Sequence, residues 1–132
     1  MTSWLSATTS TSSTTLVTER ELGDRWVATR EQDGAWIFKL PASHTAGIPD
    51  WCLMLGIVQL WEAKRIRPGK VAYCPHQLTA AQRFFIRMVA RYAPTCGGVL
   101  LLGEDGFMEV EAPKALRPVA AATFHVEKEP YR

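Results

Sequence analysis

The chain has 132 residues, 47% hydrophobic and 21% charged, which suits one globular domain with its own core and leaves little room for a second. No apolar run approaches the roughly 18 residues of a membrane span, so the sequence excludes a transmembrane protein. Fifteen basic and thirteen acidic residues leave a formal charge of +2, too small to argue by itself for a nucleic-acid partner; any basic footprint must be local.

Residues 1–16 are dominated by Ser and Thr and have little to bury, so they read as a disordered tail ahead of one domain over 17–132. Thr18-Glu19-Arg20-Glu21 forms a capping box that opens a helix; Leu22, Trp26 and Thr29 follow at helical spacing, and Asp33-Gly34 stops it. Ala35–Leu40 is aromatic and β-branched and reads as a strand. A loop over Pro41–Gly47 follows. Trp51–Leu55 and Ile57–Lys64 read as a hairpin turning at Gly56. Arg65–Cys74 reads as a basic loop. A second capping box, Thr79-Ala80-Ala81-Gln82, opens a helix to about Tyr92, with Phe84, Phe85, Met88, Val89 and Tyr92 as its apolar face. Val99–Leu102 and Phe107–Glu111 read as two more strands. Past Ala112 the pattern weakens, with Phe124 and Val126 left to dock a last short piece. The order predicts an α/β fold: a single mixed central β-sheet flanked by helices.

The chemistry concentrates in Ile48-Pro49-Asp50 and Leu60-Trp61-Glu62-Ala63-Lys64. Glu62 and Lys64 project to one face of their strand. If the hairpin turns at Gly56, Asp50 lies opposite Glu62, and cross-strand Cβ atoms sit about 5 Å apart. Two such carboxylates can share a hard cation, with a lysine beside it to hold a water: an arrangement for metal-assisted hydrolysis of a phosphodiester. An exposed cross-strand ion pair gives the same pattern. Val58 and Leu60 lie further back on that face, and charges at the end of an apolar stripe cost energy unless paired or metal-bound.

Pro49-Asp50, eleven intervening residues and Glu62-Ala63-Lys64 resemble the signature of the PD-(D/E)xK nucleases. Within that superfamily the chain most resembles the archaeal-type Holliday junction resolvases, which phages also carry. Their opening helix bears Glu-Arg-Glu-Leu, here Glu19–Leu22, and a Pro-Ala-Ser loop precedes the Pro-Asp, here Pro41-Ala42-Ser43. The matching stretch runs from Glu19 to about Leu102. The resemblance implies a restriction-endonuclease-like nuclease core, an Mg²⁺ cofactor for which Mn²⁺ substitutes, and a homodimer that cuts four-way DNA junctions. It implies that Glu19, Asp50 and Glu62 bind metal, that Lys64 positions the attacking water and that Ser43 assists cleavage. Glu19 also has a plain reading as a first-turn acid near the helix dipole, and Ser43 as a loop residue. Leu78-Thr79-Ala80-Ala81-Gln82 is similar to a segment of VRR-type nucleases, whose glutamine sits beside the active site; the capping box explains Gln82 equally well. The Arg65–His76 insertion and the lack of a Gly after Ser43 depart from the resolvase pattern. A VRR-like nuclease acting on flaps or nicks, and a non-catalytic DNA-binding module of the same fold, are the alternatives.

Phosphate contacts are expected from Arg65, Arg67 and Lys70, which follow the catalytic strand, and from Arg83 and Arg87, which with Arg91 recur every four residues on the second helix. Trp36, Phe38, Phe107, Met108 and Phe124 are apolar material for a dimer interface. Cys52, Cys74 and Cys96 form no CxxC pair and fit free thiols in a reducing cytoplasm, the host's if a phage encodes the chain. Of a conceivable Cys74, His76, Cys96 and His125 metal set, only the first two are close in sequence. The N-terminus has neither the basic nor the apolar region of a secretory signal.

Overall fold

The computed structural model describes residues 17–41 and 47–132; the expected tail over 1–16 and the loop residue Ser43 lie outside the described residues. Helix α1 spans Glu19–Gln32, and its capping box forms as expected: Thr18 Oγ1 accepts from the Glu21 amide at 3.1 Å and Glu21 Oε1 from the Thr18 amide at 2.8 Å. Strands β1 (Trp36–Lys39), β2 (Trp51–Leu55) and β3 (Ile57–Arg65) follow. The turn between β2 and β3 is Gly56 alone, at φ +77°, a conformation that glycine adopts without steric cost. The hairpin is symmetric about it, so Trp51 pairs with Trp61 and Leu55 with Ile57.

The stretch expected as a basic loop contains a short strand, β4 (Val71–Tyr73), and a single 3-10 turn at Pro75–Gln77. Helix α2 (Ala80–Tyr92) then crosses over to β5 (Gly97–Leu102), which pairs parallel to β3, and β6 (Phe107–Glu111) closes the sheet antiparallel. The central sheet has the order β1-β2-β3-β5-β6. It is mixed, with helices on both faces, so the fold is α/β. Strand β5 is buried throughout, which is why it reads as a continuous apolar run. Its first two residues must be small: a Cβ on Gly97 would sit 1.9 Å from the Leu60 carbonyl oxygen, and one on Gly98 2.1 Å from that of Val110.

One face of the sheet packs on α1. Trp51, Leu53, Trp61, Leu100 and Leu102 meet Leu22 and Trp26, whose indole stands edge-on to Trp51 at 5.9 Å. On the opposite face, Val99, Leu101 and Val110 meet Leu78, Ile86 and Phe124. That core corrects the expected face of α2 in part, since of the expected residues Val89 does pack against it. Ile86 is its buried residue, with Val89 and Ala90 packed beside it, while Phe84 is 59% and Tyr92 72% exposed. The helix carries two apolar flanks, and the one with smaller side chains faces the sheet.

The C-terminal stretch is more ordered than its pattern predicts. It forms α3 (Ala112–Ala115), β7 (Val119–Ala120), which pairs with β4 in a second small sheet, and α4 (Ala121–Glu127). Phe124 docks as expected; Val126 does not, being 83% exposed. The final residues are tied to α1 and β6. Arg30 donates to both oxygens of Glu109 at 2.8 and 2.9 Å and to Glu129 at 2.8 Å, Arg132 bonds Asp33 at 2.7 Å, and Phe107 and Glu129 exchange backbone bonds. Among the described residues, no helix is long and apolar enough to cross a membrane.

Candidate functional site

Asp50 enters the sheet just ahead of β2. Its backbone bonds β3 through the Trp61 carbonyl at 3.1 Å, and its own carbonyl accepts from Leu40 at 2.9 Å. This fixes the side chain at the end of the sheet, where Oδ2 accepts from the Ala63 amide at 2.8 Å. The register of β2 on β3 brings Asp50 level with Glu62, and the two carboxyl groups are hydrogen-bonded to each other. Asp50 and Glu62 are thus brought together as their spacing about Gly56 predicts.

Glu62 is 5% exposed. Burial pushes its carboxyl up to about 8; the charge of Asp50 and the hydrogen bond to it act the same way, and Lys64 opposes them. At neutral pH these effects favour the protonated form of Glu62. Lys64, half-buried and two residues on, lies on the face of Glu62 and its charge reaches both Glu62 and Glu19.

Glu19 approaches from the other side of the sheet. With Arg20, Lys39, Asp50, Trp51 and Ala63 it lines a cleft of about 80 Å³. Partial burial and then the charge of Asp50 raise its pKa, while Lys64, Lys39 and Arg65 oppose the shift. The first turn of α1 therefore brings Glu19 to the acid pair as well as into the helix dipole.

Gln82 both closes the cap of α2 and reaches Glu62. Its Oε1 accepts from the Thr79 amide at 2.9 Å, closing the capping box of α2, and its Nε2 donates to Glu62 Oε2 at 3.2 Å. The N-terminal turns of α1 and α2 thus meet the acid pair from opposite faces of the sheet. Lys39 was not among the residues singled out from the sequence. Its position at the end of β1, paired with Trp51, was the available signal, and its ammonium lies 5.3 Å from the Trp51 ring centroid.

The expected phosphate contacts divide. Arg65 donates to the Val17 carbonyl and, at 3.4 Å, to Glu104, so its guanidinium steadies the entry to α1. Arg83 donates back to the Leu78 carbonyl at 2.7 Å. Arg67, Lys70 and Arg87 are exposed and form no ion pair among the described residues. All three cysteines are free thiols.

Among the described residues, no group of three or more His, Cys, Asp or Glu is gathered as a preformed metal cage. The donor set nevertheless fits a hard divalent cation. Asp50 and Glu62 offer paired oxygens in a half-buried setting, Glu19 adds a third carboxylate nearby, and a cation between the pair would take the place of the proton favoured on Glu62. Phe107 and Phe124, expected as interface material, are instead core residues at 0% and 2% exposure. No protein-family model matches the chain, and no curated protein matches it.

Proposed function

We propose that the chain is an Mg²⁺-dependent endonuclease that cuts branched DNA, four-way junctions above all, with Mn²⁺ able to substitute. The observation that carries the reading is the carboxyl pair of Asp50 and buried Glu62 with Lys64 beside it at the open end of the sheet. Asp50 and Glu62 would hold the cation, with Glu19 completing the set. A divalent cation bound there polarises a phosphodiester and lowers the pKa of a coordinated water. The Lys64 ammonium is placed to orient a water and offset charge that develops on phosphate oxygens. Gln82 fixes the rotamer of Glu62 through its amide donor, while its carbonyl stays in the helix cap. Arg67, Lys70 and Arg87 supply exposed cations for the DNA backbone. The positive ends of α1 and α2, both turned to this corner, favour an anion there.

Paired cuts in a junction need two sites in fixed relation, so the active form is a homodimer, working in the cytoplasm. The contact between Gln82 and Glu62 also favours a second reading, a VRR-like nuclease that acts on flaps or nicks. A panel of labelled duplex, nicked, flap, fork and four-way substrates separates the two. Symmetric paired cuts in the junction, abolished by EDTA, support the first; preference for flaps or nicks supports the second. An inert panel in both Mg²⁺ and Mn²⁺ would refute the nuclease reading.

A further inference from the structure

The outer edge of β6 is open. It is the last strand of the central sheet, and in its antiparallel pairing with β5 successive residues turn their backbone groups alternately inward and outward. Phe107 fixes the phase. It exchanges its backbone bonds with Glu129, outside the sheet, so Met108 and Val110 bond β5 while Glu109 and Glu111 point outward. The bridge to Glu129 stops after one pair, because the residue that would follow opposite Glu109 is Glu127, the last of α4. Among the described residues, no backbone group bonds the amide or carbonyl of Glu109 or the amide of Glu111 from outside the sheet.

A groove borders this edge on each face of the strand, and both grooves reach Lys114 of α3 and Glu127 of α4. On the α1 face the groove holds about 370 Å³ and four carboxylates, those of Glu109, Glu111, Glu127 and Glu129, against the single cation of Lys114. Arg30 already holds Glu109 and Glu129, while Glu111 and Glu127 are exposed and form no ion pair among the described residues. On the opposite face the groove holds about 620 Å³ over Met108, Val110 and Val119, and its charges are Lys114, Arg117 and Glu127. The open edge therefore separates an acidic side from an apolar side with two cations.

We infer that an extended segment of a partner protein, alternating basic and apolar residues, adds to β6 as a sixth strand of the central sheet. The outward groups of Glu109 and Glu111 supply the main-chain bonds that strand addition needs. Alternate side chains of an added strand fall on opposite faces. Those on one face meet Glu111 and Glu127, and those on the other meet Met108, Val110 and Val119. Lys114 and Arg117 keep basic residues to the acidic side. Other occupants fit worse. A second copy joined through the same edge would set Glu109 and Glu111 against glutamates, and like charges directly opposite destabilise a sheet. The carboxylates repel the phosphates of a nucleic acid. Residues 1–16 contain no basic side chain to meet Glu111 and Glu127. None of the groove's charged residues belongs to the Asp50–Glu62 site, so this surface stands or falls apart from the nuclease reading.

The probe is a fluorescein-labelled hexapeptide of alternating valine and lysine, titrated into the full chain without DNA or metal and read by anisotropy. It is expected to bind at least tenfold more tightly than the same peptide with glutamate in place of lysine, and to slow hydrogen exchange at the amides of Glu109 and Glu111. Glu111→Lys and Glu127→Lys are each expected to weaken binding at least tenfold with an unchanged circular dichroism spectrum, since neither carboxylate is paired among the described residues. Glu31→Lys, the same change of charge on exposed α1, is expected to leave the affinity within about twofold. N-methylation of the lysine amides or of the valine amides is expected to abolish binding in one case only, because a strand turns alternate amides to its neighbour. No binding at millimolar peptide, equal losses in Glu31→Lys and Glu111→Lys, unslowed exchange at both amides, or undiminished binding by both N-methylated peptides would each overturn the inference.

Discussion

At the scale of the residue, everything turns on Glu62. Its carboxyl keeps a proton up to about 8 in the metal-free fold, whereas an unfolded glutamate releases it near 4.5. The contribution to stability is therefore full below 4.5 and is lost as pH rises toward 8. Thermal melts in chelator are expected to fall by several degrees across that window, and Glu62→Gln to flatten the fall; parallel pH profiles for the two proteins would contradict the assignment. The partner acid is tested by metal affinity. Asp50→Asn is expected to weaken Mn²⁺ binding at least tenfold by calorimetry, yet to bind DNA as well as the wild type, because losing a carboxylate also removes repulsion from phosphate. The pairing of these two acids was legible in advance because positions 50 and 62 lie equally far from Gly56, and a glycine turn centres the register there. The nearness of Gln82 to Glu62 was signalled only by the resemblance to VRR-type nucleases, since it depends on how far α2 slides along the sheet, which no local pattern encodes.

At the scale of the element, Gln82 joins cap to site, and its two functions separate by substitution. Gln82→Glu retains a residue that closes a capping box but removes the donor to Glu62 and adds a fourth carboxylate to the three already there. The melting temperature is expected to change little, while cleavage falls about tenfold or more; unchanged cleavage would reduce Gln82 to its capping role. Both long helices were readable from their caps. The buried flank of α2 was not, because Phe84, Met88 and Tyr92 outweigh Ile86, Val89 and Ala90 in bulk, and hydropathy cannot say which flank meets the sheet. The C-terminal elements were hidden for another reason: α3 has four residues, β7 two and α4 seven, each too short to establish a period. Their anchor is Phe124, buried among the residues that face α2. Phe124→Ala is expected to cost about 3–5 kcal/mol in denaturant unfolding. A loss under 1 kcal/mol would show that the C-terminal stretch is a dispensable appendage.

At the scale of the whole molecule, the sheet divides its labour. The β5–β6 side is sealed under helices and supplies rigidity, while the β1–β3 side carries the acids at one end and a bare apolar floor along the rest. Exposed cations lie in the segment that follows β3 and on α2; in the proposed reading they serve the phosphate backbone while the acid pair serves the cation. That layout makes the acid end hydrolytic only if the two acids act together with a cation. The most direct measurement is cleavage of a labelled four-way junction in Mg²⁺ by wild type and Asp50→Asn, purified side by side. The account predicts paired strand cuts by the wild type, and a loss of at least a hundredfold in Asp50→Asn with the fold intact. Cleavage by Asp50→Asn at the wild-type rate would contradict it.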